Sequence, residues 1–166
     1  FPKDMRNDVT VVSTVMSVEQ DNSPEIAAMI GSSIAISISD IPFSGPIGGV
    51  LVGMVDGEYV INPTVAQREK STMQVTVAGT SERVVMIEAG AKEVSEDDMY
   101  GAILFAHEEI KKLCGFIQGI VNEIGKEKFA YESHTIDEVL LDDVKEYASE
   151  EIKKALDTDG PGGCHR

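Results

Sequence analysis

The chain has 166 residues, enough for one domain with a real core and a small appendage. Aromatic residues are only 5% and Trp is absent, so the core has to be built from Val, Ile, Ala and Met. The net charge of −15 argues against broad binding to a polyanion such as RNA. The charge is uneven, with 11 acidic against 6 basic residues over 1–92 and 18 against 7 over 93–160. Lys3, Arg6, Arg68, Lys70 and Arg83 are too scattered along the chain to define a basic patch.

The start, FPKDMRND, has no initiator Met and reads as a cut into a longer chain. Asp8–Val18 (DVTVVSTVMSV) alternates, yet both of its faces are largely apolar, which predicts a central strand buried on both sides. Ser23 suits a helix N-cap, Pro24 the first helical position, and Glu25 the positive end of the helix dipole. The segment that follows, IAAMIGSSIAISIS, fits two periods. Ile26, Ile30, Ile34 and Ile38 recur every four residues, as in a buried helix, whereas Ile34, Ile36 and Ile38 alternate, as in a strand. The start signals favour the helix, in which Gly31, Ser32, Ser33 and Ala35 would make a small-residue face for close packing.

Turns at Pro42–Gly49 lead to a strand over about Val50–Val55, and Asp56-Gly57 is a two-residue hairpin signal returning through Tyr59–Ile61. Val65–Lys70 suits one helical turn, and Thr72–Ala78 with Arg83–Glu88 a second hairpin. After Glu93 the character changes. Ser95 with Asp98 resembles a capping box, and Met99, Ile103, Ala106, Ile110, Leu113, Ile117, Ile120, Val121 and Ile124 recur at helical spacing, with Gly125 suited to the C-cap. Lys126–His134 reads as a linker. Thr135 with Glu138 reads as a second capping box, opening a helix to about residue 157. The end, DTDGPGGCHR, is disordered in character. The fold class expected is α+β, a mixed sheet packed with helices followed by an α-helical segment. The expected domains are 1–128, 129–157 and a tail at 158–166.

Motifs that could carry chemistry are weak. His107-Glu108-Glu109 lies on the long helix, but a zinc-protease helix needs a second His at 111, where Lys stands; a solvated pair is the better reading. Glu93, Glu96, Asp97 and Asp98 more readily supply a helix cap than a Mg²⁺ site. Gly45, Gly48 and Gly49 in SGPIGG lack the Lys-Ser/Thr ending of a phosphate loop and precede a strand, so turn geometry explains them better. Ser32-Ser33 falls mid-helix, away from any anion-binding terminus. Cys164-His165 has no further ligands in its tail and reads as a cloning remnant, a readthrough product or a flexible end. No catalytic triad can be assembled, since His107, His134 and His165 all lie outside the sheet region. Cys114 sits in an apolar helical pattern and reads as a small core hydrophobe. A disulfide framework is not expected with Cys164, and a cytoplasmic location follows as the natural expectation. No apolar run reaches membrane-spanning length and no signal-peptide pattern is present. The residues alone therefore describe an acidic α+β domain followed by helices, without a function.

The blocks FPKDMRNDV, DNSPEIAAMIGSS, SISDIPFSGPIG, VDGEYVINPT, VAGT, MIEAGAKEVSEDDM and ILFAHEEIKK, in this order, resemble the polynucleotide phosphorylase family over roughly residues 1–157. The resemblance implies the second half of the first of two RNase PH-like core domains, with the start of an all-helical linker domain from about Phe129. It further implies, for a whole enzyme, phosphate-dependent 3′-to-5′ exoribonuclease activity in mRNA degradation, releasing nucleoside diphosphates. A homotrimeric ring using Mg²⁺ and phosphate, with RNA as substrate and no membrane, also follows. In the family's catalytic core the matching strand reads GDMDFKVAGT, with two Asp holding a metal and a Lys assisting phosphate. Here it reads STMQVTVAGT, and Thr72, Gln74 and Thr76 stand at those positions. None supplies a hard anionic ligand or a point cation. The resemblance thus implies no catalytic and no metal residue, no cofactor of this segment's own, and a scaffold role in the ring and RNA channel. The alternative is a stand-alone, non-catalytic interaction module from a split or decayed gene.

Overall fold

A computed structural model describes residues 1–157. The first element is helix α1 (Pro24–Ile38), so the four-residue period prevails over the alternation. Ser23 occupies the N-cap, but its hydroxyl donates to the Glu25 carboxylate and accepts from no helix amide; Pro24 provides the pre-set φ of the first position. Of the expected small-residue face, Ser33 is buried with Ser37, while Gly31 and Ala35 are exposed.

Strands β1 (Gly48–Val55) and β2 (Glu58–Ile61) form a hairpin closed at Val55↔Glu58. Asp56 (φ 53°) and Gly57 (φ 84°) are both left-handed, the geometry a two-residue turn between right-twisted strands demands. Helix α2 (Val65–Lys70) follows, opened by a reciprocal capping box between Thr64 and Gln67. Strand β3 (Met73–Gly79) then pairs with β1, and β4 (Val84–Ala91) with β3. The sheet order is β2-β1-β3-β4 and every pairing is antiparallel, so the sheet is not mixed. The turn from β3 to β4 is tied by Thr80, whose Oγ1 accepts from the amides of Glu82 and Arg83.

Helix α3 (Glu96–Ile124) covers one face of the sheet. Its inward residues Ala102, Ala106, Ile110 and Cys114 recur every four positions and pack on Val50, Val52, Met73, Val75 and Val77. Two alanines at the head of this stripe let the backbone approach closely. Gly101 lets Tyr59 lie across the helix: a Cβ there would stand 2.3 Å from the phenol oxygen. That phenol donates to the Asp98 carbonyl (2.9 Å), and the Tyr59 ring meets Phe105 at 5.6 Å.

Two further expectations fail. Residues 8–18 carry no strand ladder, and Val12 (81% exposed) and Met16 (89%) face solvent. A β-branched run becomes a strand only when a neighbour takes its backbone hydrogen bonds, and no described strand pairs with this one. Thr135 does not open the last helix, α4 (Glu138–Leu156). Asp137 does so, its carboxylate accepting from the amides of Val139 and Leu140. Gly125 is the C-cap of α3 as expected, but with φ −64° and not in the left-handed region.

The chain divides into two compact units. The first comprises Phe1–Lys3 and Asn7–Tyr131, with α1 to α3 and the whole sheet. The second joins Asp4–Arg6 to the described residues from Glu132 onward. Within it the Asp4 carbonyl accepts from the His134 amide (2.9 Å) and its carboxylate from the Ser133 hydroxyl (2.5 Å). No residue of α4 is buried. No helix among the described residues is long and apolar enough to cross a membrane.

Candidate functional site

Strand alternation sets the candidate site. With Met73, Val75 and Val77 turned into the core beneath α3, Thr72, Gln74 and Thr76 point to the opposite face of β3. Thr76 is paired across the ladder with Leu51 of β1 and Glu88 of β4. Gln74 and Thr76 line a groove of about 700 Å³ whose walls are the N-terminal half of α1, with Ser23, Glu25 and Met29, and β4, with Met86 and Glu88. Arg68 also lines it. Thr72 lies in an adjoining depression of about 280 Å³, between Arg68 and Lys92.

The groove's polar lining comprises the hydroxyls of Ser23 and Thr76, the Gln74 amide, two carboxylates and one guanidinium, beside apolar Ile26, Met29, Leu51 and Met86. The Ser23 hydroxyl, the Glu25 backbone amide and, more weakly, Arg68 hold the Glu25 carboxyl below the usual carboxylate range. Glu25 is therefore an anion already engaged, not a base poised near neutrality. Threonine and glutamine oxygens are weak ligands for a hard divalent cation, which selects carboxylates. Among the described residues no group of three or more His, Cys, Asp or Glu is placed to hold a metal. Thr72, Gln74 and Thr76 do not fit a Mg²⁺ site.

The other candidate motifs serve the fold. The His107 ring nitrogen Nε2 meets the Thr80 carbonyl at 3.1 Å and so donates to it, while Glu108 and Glu109 pair with Lys111 (2.7 Å) and Lys112 (2.6 Å). Ser95 caps α3 by accepting from the Asp98 amide and donating to its carboxylate (2.6 Å); Glu96, Asp97 and Asp98 fill the first turn. Gly48 and Gly49 belong to β1, where they leave room for Leu113 and Met29, and so serve strand packing more than a turn. Ser33 lies mid-helix and accepts from the Ile47 amide (2.9 Å). Cys114 is core, and burial raises its thiol above the ordinary value. Cys164 and His165 lie outside the described residues, as does the tail expected at 158–166.

Sequence reasoning did not find the groove, because α1, α2 and β4 meet there from three separate stretches. Nor did it find Ser71, whose buried hydroxyl accepts from the Met54 amide (2.9 Å) and donates to the Met73 carbonyl (2.5 Å). No local pattern marks such a residue.

Residues 45–109, which span the sheet, α2 and the first half of α3, match the 3′ exoribonuclease family, domain 2. Rrp46 of rice (Oryza sativa) has a similar fold, with a TM-score of 0.56 over 63% of this chain and 51% of that one, at 16% identity. These define an RNase PH-like domain. The polyribonucleotide nucleotidyltransferase of Ruminiclostridium cellulolyticum is 64% identical over 94% of this chain and 22% of that protein. Those of Clostridioides difficile and Listeria monocytogenes are 58% and 55% identical over 95% and 96% of the chain, again 22% of each relative. The chain belongs to the polyribonucleotide nucleotidyltransferase, or polynucleotide phosphorylase, family, and spans about a fifth of the length of these relatives.

Proposed function

We propose that this segment is the non-catalytic, ring-building and channel-shaping part of a phosphate-dependent 3′-to-5′ exoribonuclease. The whole enzyme would be a cytoplasmic homotrimer that binds RNA, uses Mg²⁺ and phosphate, and releases nucleoside diphosphates. The observation that carries the reading is the outer face of β3. It offers Thr72, Gln74 and Thr76 where phosphoryl transfer needs anionic metal ligands and a cation, and the described residues around it add no metal-binding cluster. The acidic surface is consistent with RNA being held by other parts of such an enzyme.

The test is phosphate-dependent release of nucleoside diphosphate from poly(A) by the purified chain with Mg²⁺. No release is expected. Release by a homogeneous sample would place an active site within these residues and overturn the reading.

A further inference from the structure

Helix α1 ends without the usual devices. Its C-cap, Ser39, is extended (φ −72°, ψ 173°) and not left-handed, and its last turn holds no basic residue. The carbonyls from Ile36 to Asp40 are nevertheless all satisfied, and nearly all by residues about 90 positions away. The Lys128 ammonium donates to the carbonyls of Ser39 (2.5 Å), Ser37 (2.8 Å) and Ile36 (3.4 Å). The Lys126 amide donates to Ile38 (3.0 Å) and the Phe129 amide to Asp40 (2.8 Å). The only local donor is Ser39, whose amide and hydroxyl both reach Ile36.

Three carbonyls converging on one ammonium match its three protons, and the cation sits at the negative end of the α1 dipole. The two backbone bonds on either side of Lys128 are single, with Lys126 exposed and Phe129 half-buried. Alone they do not repay the ordering of the strap's backbone. We propose that Lys126–Phe129 is a strap closed over the C-terminal end of α1 by the charge of Lys128, and that losing this charge opens the strap while the sheet and α3 stay folded. The strap is a conformational device at the exit from the sheet-bearing unit. Transfer of an acyl group from a thioester to the Lys128 Nζ, with release of the thiol and of the ammonium's proton, removes the charge and two of the three donors and would be one chemistry able to open it.

The experiment is residue-resolved amide hydrogen exchange on the full chain and on its Lys128→Gln and Lys128→Arg variants. In Lys128→Gln the amides of Lys126 and Phe129 are expected to exchange about tenfold faster, the size of a lost charge-assisted hydrogen bond, with those of Val50, Val75 and Ile110 unchanged. Lys128→Arg, which keeps the charge, is expected to retain most of the protection. Unchanged exchange at Lys126 and Phe129 in Lys128→Gln would overturn the strap. So would equal acceleration throughout the sheet, because Lys128 would then support global stability and not a local closure.

Discussion

Ser33 and Ser37 lie one turn apart on the buried face of α1 and stand in opposite situations. The Ser33 hydroxyl accepts from the Ile47 amide, whereas the Ser37 hydroxyl is buried without a hydrogen-bond partner among the described residues. Removing one partner of a buried bond costs the desolvation of the other, while removing an unsatisfied group relieves that cost. Ser33→Ala is therefore expected to destabilise the chain by about 1–2 kcal/mol, and Ser37→Ala to be neutral or to stabilise it by up to about 1 kcal/mol. Denaturant midpoints of the two variants check both signs. Cys114 gives a chemical counterpart. Its thiol is buried (3% exposed) with its ionisation pushed up, so the reactive thiolate is both scarce and shielded. Mass-resolved alkylation at pH 8 is expected to leave Cys114 unlabelled in the native chain and to label it in denaturant. Both serines are polar letters in an apolar run, and nothing in the sequence separates the bonded one from the orphan.

At the scale of elements, the packing of α3 on the sheet decides stability. Ile110 is fully buried beneath β1 and β3 and heads the largest side chains of the core. Ile110→Ala is expected to cost about 2–5 kcal/mol, read as a fall in the denaturant midpoint with the slope unchanged. Gly79 closes β3 at a close backbone approach: a Cβ there would stand 2.4 Å from the Arg83 carbonyl oxygen. Backbone cannot swing aside as a side chain can, so Gly79→Ala is expected to cost about 1–3 kcal/mol and to disturb the β3–β4 turn, visible as loss of amide protection at Arg83 and Val84. Much of this was legible. The 3.6-residue period of α3, the Asp56-Gly57 turn and the alternation of Thr72–Ala78 are local signals, and each element stands where its signal lies. The Thr135 cap was misread because Asp137, two residues on, offers a carboxylate that two amides can share.

At the scale of the molecule, the chain leaves apolar surface uncovered. Val12, Val15, Met16 and Val18 are exposed on the stretch before α1, and Val85 and Ile87 on the edge strand β4. Surface of this kind drives association. Sedimentation at increasing concentration is expected to show self-association that a Val12→Lys, Met16→Lys double variant reduces; a monomer at every concentration would contradict this. The sequence by itself determined the α+β class, the order of elements from α1 to α4 and the neutral side chains of Gln74 and Thr76 on β3, because these depend on periodicity, turn chemistry and residue type. Only the tertiary structure decided the rest. A strand exists only with a partner for its backbone, so residues 8–18 remain unpaired here despite their strand composition. The groove beside Gln74 and Thr76, like the Lys128 clasp on α1, exists only where the fold brings together stretches far apart in the chain.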